Sequence, residues 1–181
     1  AGPTGIGCLL TSNERIQEMG PFMTGGSMIK KVTTDGSTFK DGHEMFETGT
    51  PRIAEAIGWG AAVEWLEQFN MVDIHNHVHE IAAYAGKEMI KIPGIKIFGD
   101  PSNRDSSGAV SFLHETIQSQ DLALLLDQGG YAVRTGHHCA QPLMDALGVP
   151  STNRASFWIY NTQEEVEGFI THLKYICERF T

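Results

Sequence analysis

The sequence contains few of the features that would connect it to a membrane or to a secreted fold. None of its apolar runs reaches the roughly 18 residues of a membrane helix, and it has no basic-then-apolar secretory leader. Its three cysteines, Cys8, Cys139 and Cys177, lie far apart and form no CxxC pair. Because an odd number of scattered cysteines is not a disulfide framework, we expect a reducing, cytoplasmic compartment, with an organelle left open.

Positive charge is scarce as well. Lysine and arginine number 13 against 22 aspartates and glutamates, so the formal net charge is -9. That balance repels phosphate backbones and anionic lipids, and we expect neither nucleic acid nor a membrane as a partner. The sequence also lacks an initiator methionine and opens inside a glycine-rich stretch over residues 1–7, so we expect a fragment or a processed chain.

The hydrophobic pattern predicts alternating strands and helices, and therefore an α/β fold. A domain boundary is predicted near residues 70–73. Before it we expect a buried strand over 6–10, a hairpin over 28–39 with Asp35-Gly36 in the turn, and a helix over 53–69. After it we expect helices over 72–90, 121–127 and 163–178, and strands over 95–98, 108–113, 131–135 and 155–160. A capping box of Thr162 and Glu165 opens the last helix.

The most informative stretch places four reactive or cationic residue types within six positions: Arg134, His137, His138 and Cys139. A thiol becomes a nucleophile as the thiolate, which nearby cationic and hydrogen-bonding groups stabilise. The cluster is therefore typical of an activated thiol on a mobile loop. A buried cysteine at a strand end, next to surface histidines, explains the same residues, and the local sequence leaves both interpretations open.

Two further residue types could bind an anionic molecule. Arg154, at the predicted start of a strand, can hold a carboxylate by two parallel hydrogen bonds, although a surface ion pair is the commoner role of an arginine. Thr50 follows Gly49 in a Gly-Thr-Pro turn ahead of a helix, where a hydroxyl and free amides can hold a phosphate. An ordinary helix cap is the alternative for Thr50.

The histidines at positions 75, 77 and 79 do not predict a metal site. They lie in a stretch predicted to be helical, where His75 and His79 share a face and His77 points away. Two histidines need further ligands to hold zinc, so we expect a solvated helix face and no metal. The glycines of residues 2–7 precede a predicted strand, which favours a tight turn over a nucleotide-binding loop.

Several segments together resemble the cysteine desulfurases, in particular the SUF-type (group II) enzymes of the class V, fold-type I aminotransferase superfamily. The segment from Arg134 to Pro142, Arg-Thr-Gly-His-His-Cys-Ala-Gln-Pro, is the most specific of them. The others lie in family order along the chain: Gly-Pro-Thr-Gly-Ile-Gly at 2–7, Gly-Gly-Ser-Met-Ile at 25–29, Phe-Glu-Thr-Gly-Thr-Pro at 46–51, Arg-Ala-Ser at 154–156 and Tyr-Asn-Thr at 160–162.

The resemblance implies the C-terminal part of the fold-type I transferase fold, with a remnant of the large cofactor-binding domain over 1–70 and the small C-terminal α/β domain over 71–181. It implies that Cys139 takes the sulfur of L-cysteine, leaving alanine and a persulfide. Arg154 would hold the substrate carboxylate, with Arg134 at the mouth of the site. Gly49 and Thr50 would hold the phosphate of pyridoxal 5'-phosphate in the neighbouring subunit of a homodimer, whose active site the 28–39 hairpin would cover.

The resemblance also implies that the persulfide passes to a SufE- or SufU-like acceptor for iron–sulfur cluster assembly. The family's Schiff-base lysine lies just ahead of the Gly-Pro-Thr-Gly turn, so we expect it to be absent from this chain. The chain alone is then expected to be inactive. A non-catalytic binding module derived from a desulfurase and a selenocysteine lyase-like activity stay open as alternatives.

Overall fold

The computed structural model describes residues 2–180. The chain divides into two compact units between Phe69 and Asn70. No helix within residues 2–180 is both long and apolar enough to cross a membrane.

The first unit contains a β-hairpin with helices before and after it. Its elements are α1 (Asn13–Glu18), β1 (Ile29–Thr33), β2 (Gly36–Phe39), a 3₁₀ helix (Gly42–Phe46) and α2 (Ile53–Leu66). The hairpin lies where the sequence predicts it, but the predicted turn residues are wrong by one position. Thr33 pairs with Gly36, so Thr34 and Asp35 form the turn, and Gly36 lacks the positive φ expected of it. The Thr33 hydroxyl donates to the Gly36 carbonyl at 3.0 Å, which closes the turn in this register.

Two apolar segments of this unit are exposed. Residues 6–10 form no strand, contrary to the prediction, and Leu10 is 94% exposed. The physical reason is that a strand needs a neighbour for its backbone hydrogen bonds, and β1 and β2 pair only with each other. Helix α2 contains no buried residue, and its Ile57 is 71% exposed.

The second unit is a four-stranded sheet with helices. Its elements are α3 (Met71–Met89), β3 (Ile95–Phe98), β4 (Ala109–His114), α4 (Ser119–Gln128), β5 (Arg134–Gly136), α5 (Gln141–Leu147), β6 (Thr152–Ser156) and α6 (Gln163–Phe180). The strand order is β3-β4-β6-β5, and every neighbouring pair is antiparallel. The mixture of helices and strands confirms the predicted α/β class.

One face of this sheet forms the hydrophobic core. Alternate residues of β4, such as Val110 and Phe112, are buried in a cluster with residues of α3, α4 and α6. Side chains alternate between the faces of a strand, so Ser111 points to the opposite face. The capping box of α6 is confirmed: the Glu165 amide donates to the Thr162 hydroxyl at 3.2 Å, and the Thr162 amide donates to the Glu165 carboxylate at 2.9 Å.

The last two strands differ from the prediction. In place of the predicted strand over 131–135, the shorter strand β5 begins at Arg134. The chain is still turning at Tyr131, whose amide donates to the Leu126 carbonyl at the end of α4. The predicted strand over 155–160 lies earlier, as β6. The chain leaves the sheet after Ser156 because the Trp158 amide donates to the Asn161 side chain at 2.8 Å. Arg154 therefore lies in the middle of a strand rather than at its start.

Candidate active site

The loop between β5 and α5 presents Cys139 to solvent. Its thiol is free and exposed. The backbone φ of His138 is 56° and that of Cys139 is 60°, so two consecutive non-glycine residues lie in the left-handed region. Each such residue costs about 1–2 kcal/mol for a side chain with a Cβ. The Ala140 amide donates to the His137 carbonyl at 2.9 Å and closes the turn. Strain of this kind is found at functional sites, where surrounding contacts maintain it.

Two arginines lie beside this loop on neighbouring strands. Arg134 of β5 pairs directly with Arg154 of β6, so both side chains leave the same face of the sheet. A guanidinium N–H of Arg134 donates to the Cys139 sulfur at 3.6 Å. The Arg154 Nε donates to the Ser156 hydroxyl at 3.1 Å. Among the ion pairs formed within residues 2–180, neither arginine has a carboxylate partner.

A transverse row of residues extends this arrangement across the sheet. Arg154 also pairs with Ser111 of β4, which pairs with Phe98 of β3. The row lies on the face opposite the helical core. Between this face and α5 is a cavity of about 340 Å3. It is lined by Phe98, Gly99, Ser111, His138, Ala140, Leu143, Met144, Leu147, Thr152 and Arg154. The cavity is therefore largely apolar, with a cationic group at one side.

His138 connects the loop to strand β6. Its Nε2 lies 3.0 Å from the carbonyl oxygen of Thr152 and 3.0 Å from the hydroxyl of the same residue. Its Nδ1 is buried and has no hydrogen-bond partner within the described chain. Burial lowers the pKa of His138 below its ordinary value of 6.5, and the neighbouring Arg154, Arg134 and His137 lower it further. The imidazole is therefore neutral in the folded protein at neutral pH.

The other two cysteines lie elsewhere. Cys8 is exposed in the first unit, where the sequence predicts a strand and the structure has none. Cys177 is buried in α6 within the hydrophobic core. Burial raises the pKa of the Cys177 thiol to about 11, which keeps it protonated at neutral pH.

The predicted phosphate-binding residues lie in the first unit, before α2. The structure excludes the alternative role of Thr50 as the cap of α2, because Arg52 occupies the N-cap position. Arg52 makes no side-chain capping hydrogen bond, and Thr50 is exposed. Gly49 has a φ of 78°, and its amide donates to the Gly26 carbonyl at 2.8 Å. Gly49 thus shapes the turn, and its amide is occupied.

The three histidines of the HxHxH stretch do not converge. They lie on α3, as predicted, and the rings of His75 and His79 stack with centroids 6.3 Å apart. His77 is half-buried, and its Nε2 lies 3.0 Å from the Asn161 carbonyl oxygen. On the face predicted to be solvated, His75 is exposed and His79 is half-buried, so that face is only partly solvated. The described residues contain no group of three or more His, Cys, Asp or Glu side chains that could hold a metal ion.

Sequence reasoning missed two residues that shape the site and one contact of a third. Thr152 and Ser156 lie two positions before and after Arg154, and the strand period of two could have placed all three on one face. His138 was recognised only as part of a cluster. Its contact with Thr152 joins residues 14 positions apart, and no local signal predicts it.

A protein-family model matches most of this chain. The model of the protein family described as aminotransferase class-V matches residues 1–169. A probable cysteine desulfurase of Staphylococcus epidermidis is 45% identical over 180 residues, which are 99% of this chain and 43% of the relative. A cysteine desulfurase of Haloferax volcanii is 41% identical over 179 residues, which are 99% of this chain and 42% of the relative. The chain thus spans less than half the length of these relatives.

Solved structures of cysteine desulfurases also match nearly the whole of this chain. The cysteine desulfurase CsdA of Escherichia coli, an S-sulfonic acid form, superposes with a TM-score of 0.92 at 34% identity. The apo cysteine desulfurase of Thermococcus onnurineus NA1 superposes with a TM-score of 0.91, also at 34% identity. In both cases the match covers 99% of this chain and 44% of the other chain.

Proposed function

The chain belongs to the aminotransferase class-V family, and on that premise we propose that it forms the C-terminal part of a cysteine desulfurase. The proposed reaction converts L-cysteine to L-alanine and leaves a persulfide on Cys139. One observation carries this proposal: an exposed thiol accepts a hydrogen bond from Arg134, which is the cross-strand partner of a second arginine, Arg154. The relatives named cysteine desulfurase support the choice of substrate.

The family implies pyridoxal 5'-phosphate as the cofactor, and part of this chain fits its phosphate. The uncapped amides at the start of α2 and the exposed Thr50 hydroxyl are donors suited to an anion. We therefore propose Thr50 as a phosphate ligand, with Gly49 shaping the turn. When bound, the cofactor supplies an electron sink for the substrate carbon. None of the lysines of this chain lines the cavity beside Cys139, so we propose that the lysine holding the cofactor lies outside this sequence.

Arg154 is proposed to bind the carboxylate of cysteine. A guanidinium and a carboxylate form two parallel charged hydrogen bonds, which fix the orientation of the substrate as well as its position. Arg154 is partly buried at the edge of a largely apolar cavity, where such bonds are less screened than at the surface. The paired Arg134 adds positive potential and contacts the thiol.

Cys139 is proposed to accept the sulfur. Its thiolate attacks the sulfur of the bound cysteine, an S–S bond forms, and the carbon–sulfur bond of the substrate breaks. The electron pair of that bond remains with the carbon fragment, which takes up a proton and leaves as alanine. The overall exchange of one thiol and one cysteine for one persulfide and one alanine needs no added oxidant. Exposure of Cys139 leaves its persulfide accessible to a second protein.

We propose three further features of the complete enzyme. The acceptor is a SufE- or SufU-like protein that serves iron–sulfur cluster assembly of the SUF type. The enzyme is a homodimer, in which Thr50 and the hairpin of β1 and β2 act on the partner's site; the exposed apolar residues of α2 are consistent with a large interface. The reaction takes place in the cytoplasm, where the three cysteines stay reduced as thiols.

A chimera tests this function. The segment of the Staphylococcus epidermidis relative that this chain does not span is joined to this chain, and alanine and sulfide are measured with cysteine as substrate and a thiol reductant present. We expect both products in equal amounts, and neither from the Cys139→Ala chimera, which should still bind the cofactor. A chimera that binds the cofactor but forms no alanine would instead support the non-catalytic binding module. Faster turnover of selenocysteine would support the lyase-like alternative.

A further inference from the structure

The imidazole of His138 is the side chain that joins the Cys139 loop to the strand bearing Arg154. Its Nε2 lies 3.0 Å from both oxygen atoms of Thr152 that can accept a hydrogen bond. Thr152 is 1% exposed and lies two residues before Arg154 on β6. A displacement of the imidazole would therefore separate the thiol from the guanidinium that is proposed to hold the substrate.

The loop needs such an anchor because its backbone is strained. His138 and Cys139 both have left-handed φ values, and Ser27 is the only other non-glycine residue within residues 2–180 that does. The turn is closed by a single backbone hydrogen bond, from Ala140 to His137. Within residues 2–180, the Cys139 thiol has one hydrogen-bond partner, the exposed side chain of Arg134. The part-buried hydrogen bond from His138 to Thr152 thus connects the loop to the sheet through a residue that is itself buried.

The hydrogen-bond partners of His138 determine which ring nitrogen carries the proton. A carbonyl oxygen only accepts hydrogen bonds, so Nε2 carries the proton and donates it to the Thr152 carbonyl. The buried Nδ1 is then unprotonated, and the described residues offer no acceptor for a second proton. Arg154 on β6, Arg134 on β5 and His137 in the loop each disfavour a positive imidazole and lower the pKa of His138, whereas the hydrogen bond to Thr152 raises that pKa without cancelling the effect of burial. The ring is a fixed donor rather than a proton carrier.

We propose that His138 is a positioning residue, which holds the thiol of Cys139 at a fixed distance from Arg154 through its hydrogen bond to Thr152. The inference rests on the proposed desulfurase function and adds a residue to it. His138 touches neither the transferred sulfur nor the cofactor in this account. It sets how often the thiol occupies the reactive position, and so it acts on the turnover number rather than on the binding of cysteine.

Two amide substitutions separate this role from acid–base catalysis. In His138→Gln the side-chain amide nitrogen replaces Nε2 and can still donate to Thr152, but it cannot titrate. In His138→Asn the amide lies at the position of Nδ1 and does not reach Thr152. Asparagine tolerates a left-handed φ better than most residues, so a loss in this variant comes from the side-chain contact and not from the backbone. Thr152→Val removes the hydroxyl and keeps the carbonyl that we propose as acceptor.

The chimera described above is assayed for kcat and KM with cysteine, and for the rate at which iodoacetamide alkylates Cys139. We expect His138→Gln and Thr152→Val to keep kcat within about threefold of the unsubstituted chimera. His138→Asn should lower kcat about tenfold or more, with KM changed less than about threefold, and should change the alkylation rate of Cys139.

The outcomes of these assays distinguish a failure of the inference about His138 from a failure of the proposed function. If the unsubstituted chimera forms no alanine, the proposed function fails, and the alkylation rates still test whether His138 positions the thiol. If the chimera is active and His138→Asn retains both its kcat and its alkylation rate, the inference is wrong and the function stands. Equal loss of kcat in His138→Gln and His138→Asn would also overturn it, since that result requires a titrating imidazole.

Discussion

Arg134 and Arg154 stand directly opposite each other on β5 and β6, two positive charges in one cross-strand pair. Like charges in this arrangement destabilise a sheet, and neither guanidinium is neutralised by a carboxylate within the part of the chain that the structure describes. One of them contacts the Cys139 sulfur instead. The pair therefore favours an anion at this position, which is what a substrate carboxylate and a thiolate provide.

The first prediction concerns Arg154. In the chimera, Arg154→Ala should raise the KM for cysteine about tenfold to a hundredfold, because a charged hydrogen bond contributes about 1.5–3 kcal/mol. Arg154→Lys should restore part of this loss, since lysine keeps the charge without the two parallel donors. Initial rates of alanine formation measure both. Arg104→Ala, an exposed arginine outside the site, is the matched control, and an Arg154→Ala variant with the control's KM would contradict the assignment.

A second prediction uses the lowered pKa of His138. The unfolded chain takes up a proton near pH 6.5, whereas the folded protein does so only at lower pH, because burial and the neighbouring cations disfavour the charged ring. The folded state therefore loses stability as the pH falls below about 6.5. The midpoint of thermal unfolding of the unsubstituted chimera should fall more steeply between pH 7.5 and 5 than that of His138→Gln. Parallel curves would show that His138 does not titrate in this way.

Part of the fold follows directly from the sequence. The capping box of Thr162 and Glu165 forms as predicted, because its two hydrogen bonds connect residues three positions apart. The strand predicted over residues 6–10 does not form. A strand needs hydrogen bonds to a second strand, which can lie far away in the sequence, and the local sequence does not show whether such a partner is present. The hairpin was predicted, but its turn lies one residue earlier than Asp35-Gly36, since the pairing of Thr33 with Gly36 sets the register.

The candidate site was only partly predictable. The cluster around Cys139 is local, so the sequence identified the thiol and its cationic neighbours. The pairing of Arg134 with Arg154 and the contact of His138 with Thr152 depend on the register of β5 and β6. Register is set by contacts between distant segments, and the strand boundaries predicted for this region were themselves shifted. The geometry that joins the residues therefore required the structure.

The third prediction concerns the three thiols. Cys177 is buried and its pKa is raised to about 11, so alkylation of the folded chimera with iodoacetamide at neutral pH should label Cys139 and leave Cys177 unmodified. Cys8 is exposed and should react, but Cys8→Ala should not change the turnover number. Peptide mass spectrometry at successive times gives the order. Labelling in denaturant is the control, in which all three should react. Rapid labelling of Cys177 in the folded protein would contradict the structure.

The fourth prediction concerns α2. Its apolar residues are exposed, among them Ile53 and Ile57 one turn apart, so the isolated chain should self-associate in light scattering. Ile57→Lys should reduce this association. Leu124→Lys, which changes a similarly exposed residue of α4, should reduce it less. A monomeric isolated chain, or equal effects of the two substitutions, would show that α2 is not the associating surface.

The central claim is that Cys139 receives the sulfur of cysteine, and one measurement tests it most directly. The chimera is given cysteine for a single turnover without reductant, digested, and analysed by peptide mass spectrometry under conditions that preserve persulfides. The account predicts one added sulfur atom on the peptide that contains Cys139, in an amount equal to the alanine released. An added sulfur on the peptide of Cys8 or Cys177, or full alanine formation by the Cys139→Ala chimera, would contradict it.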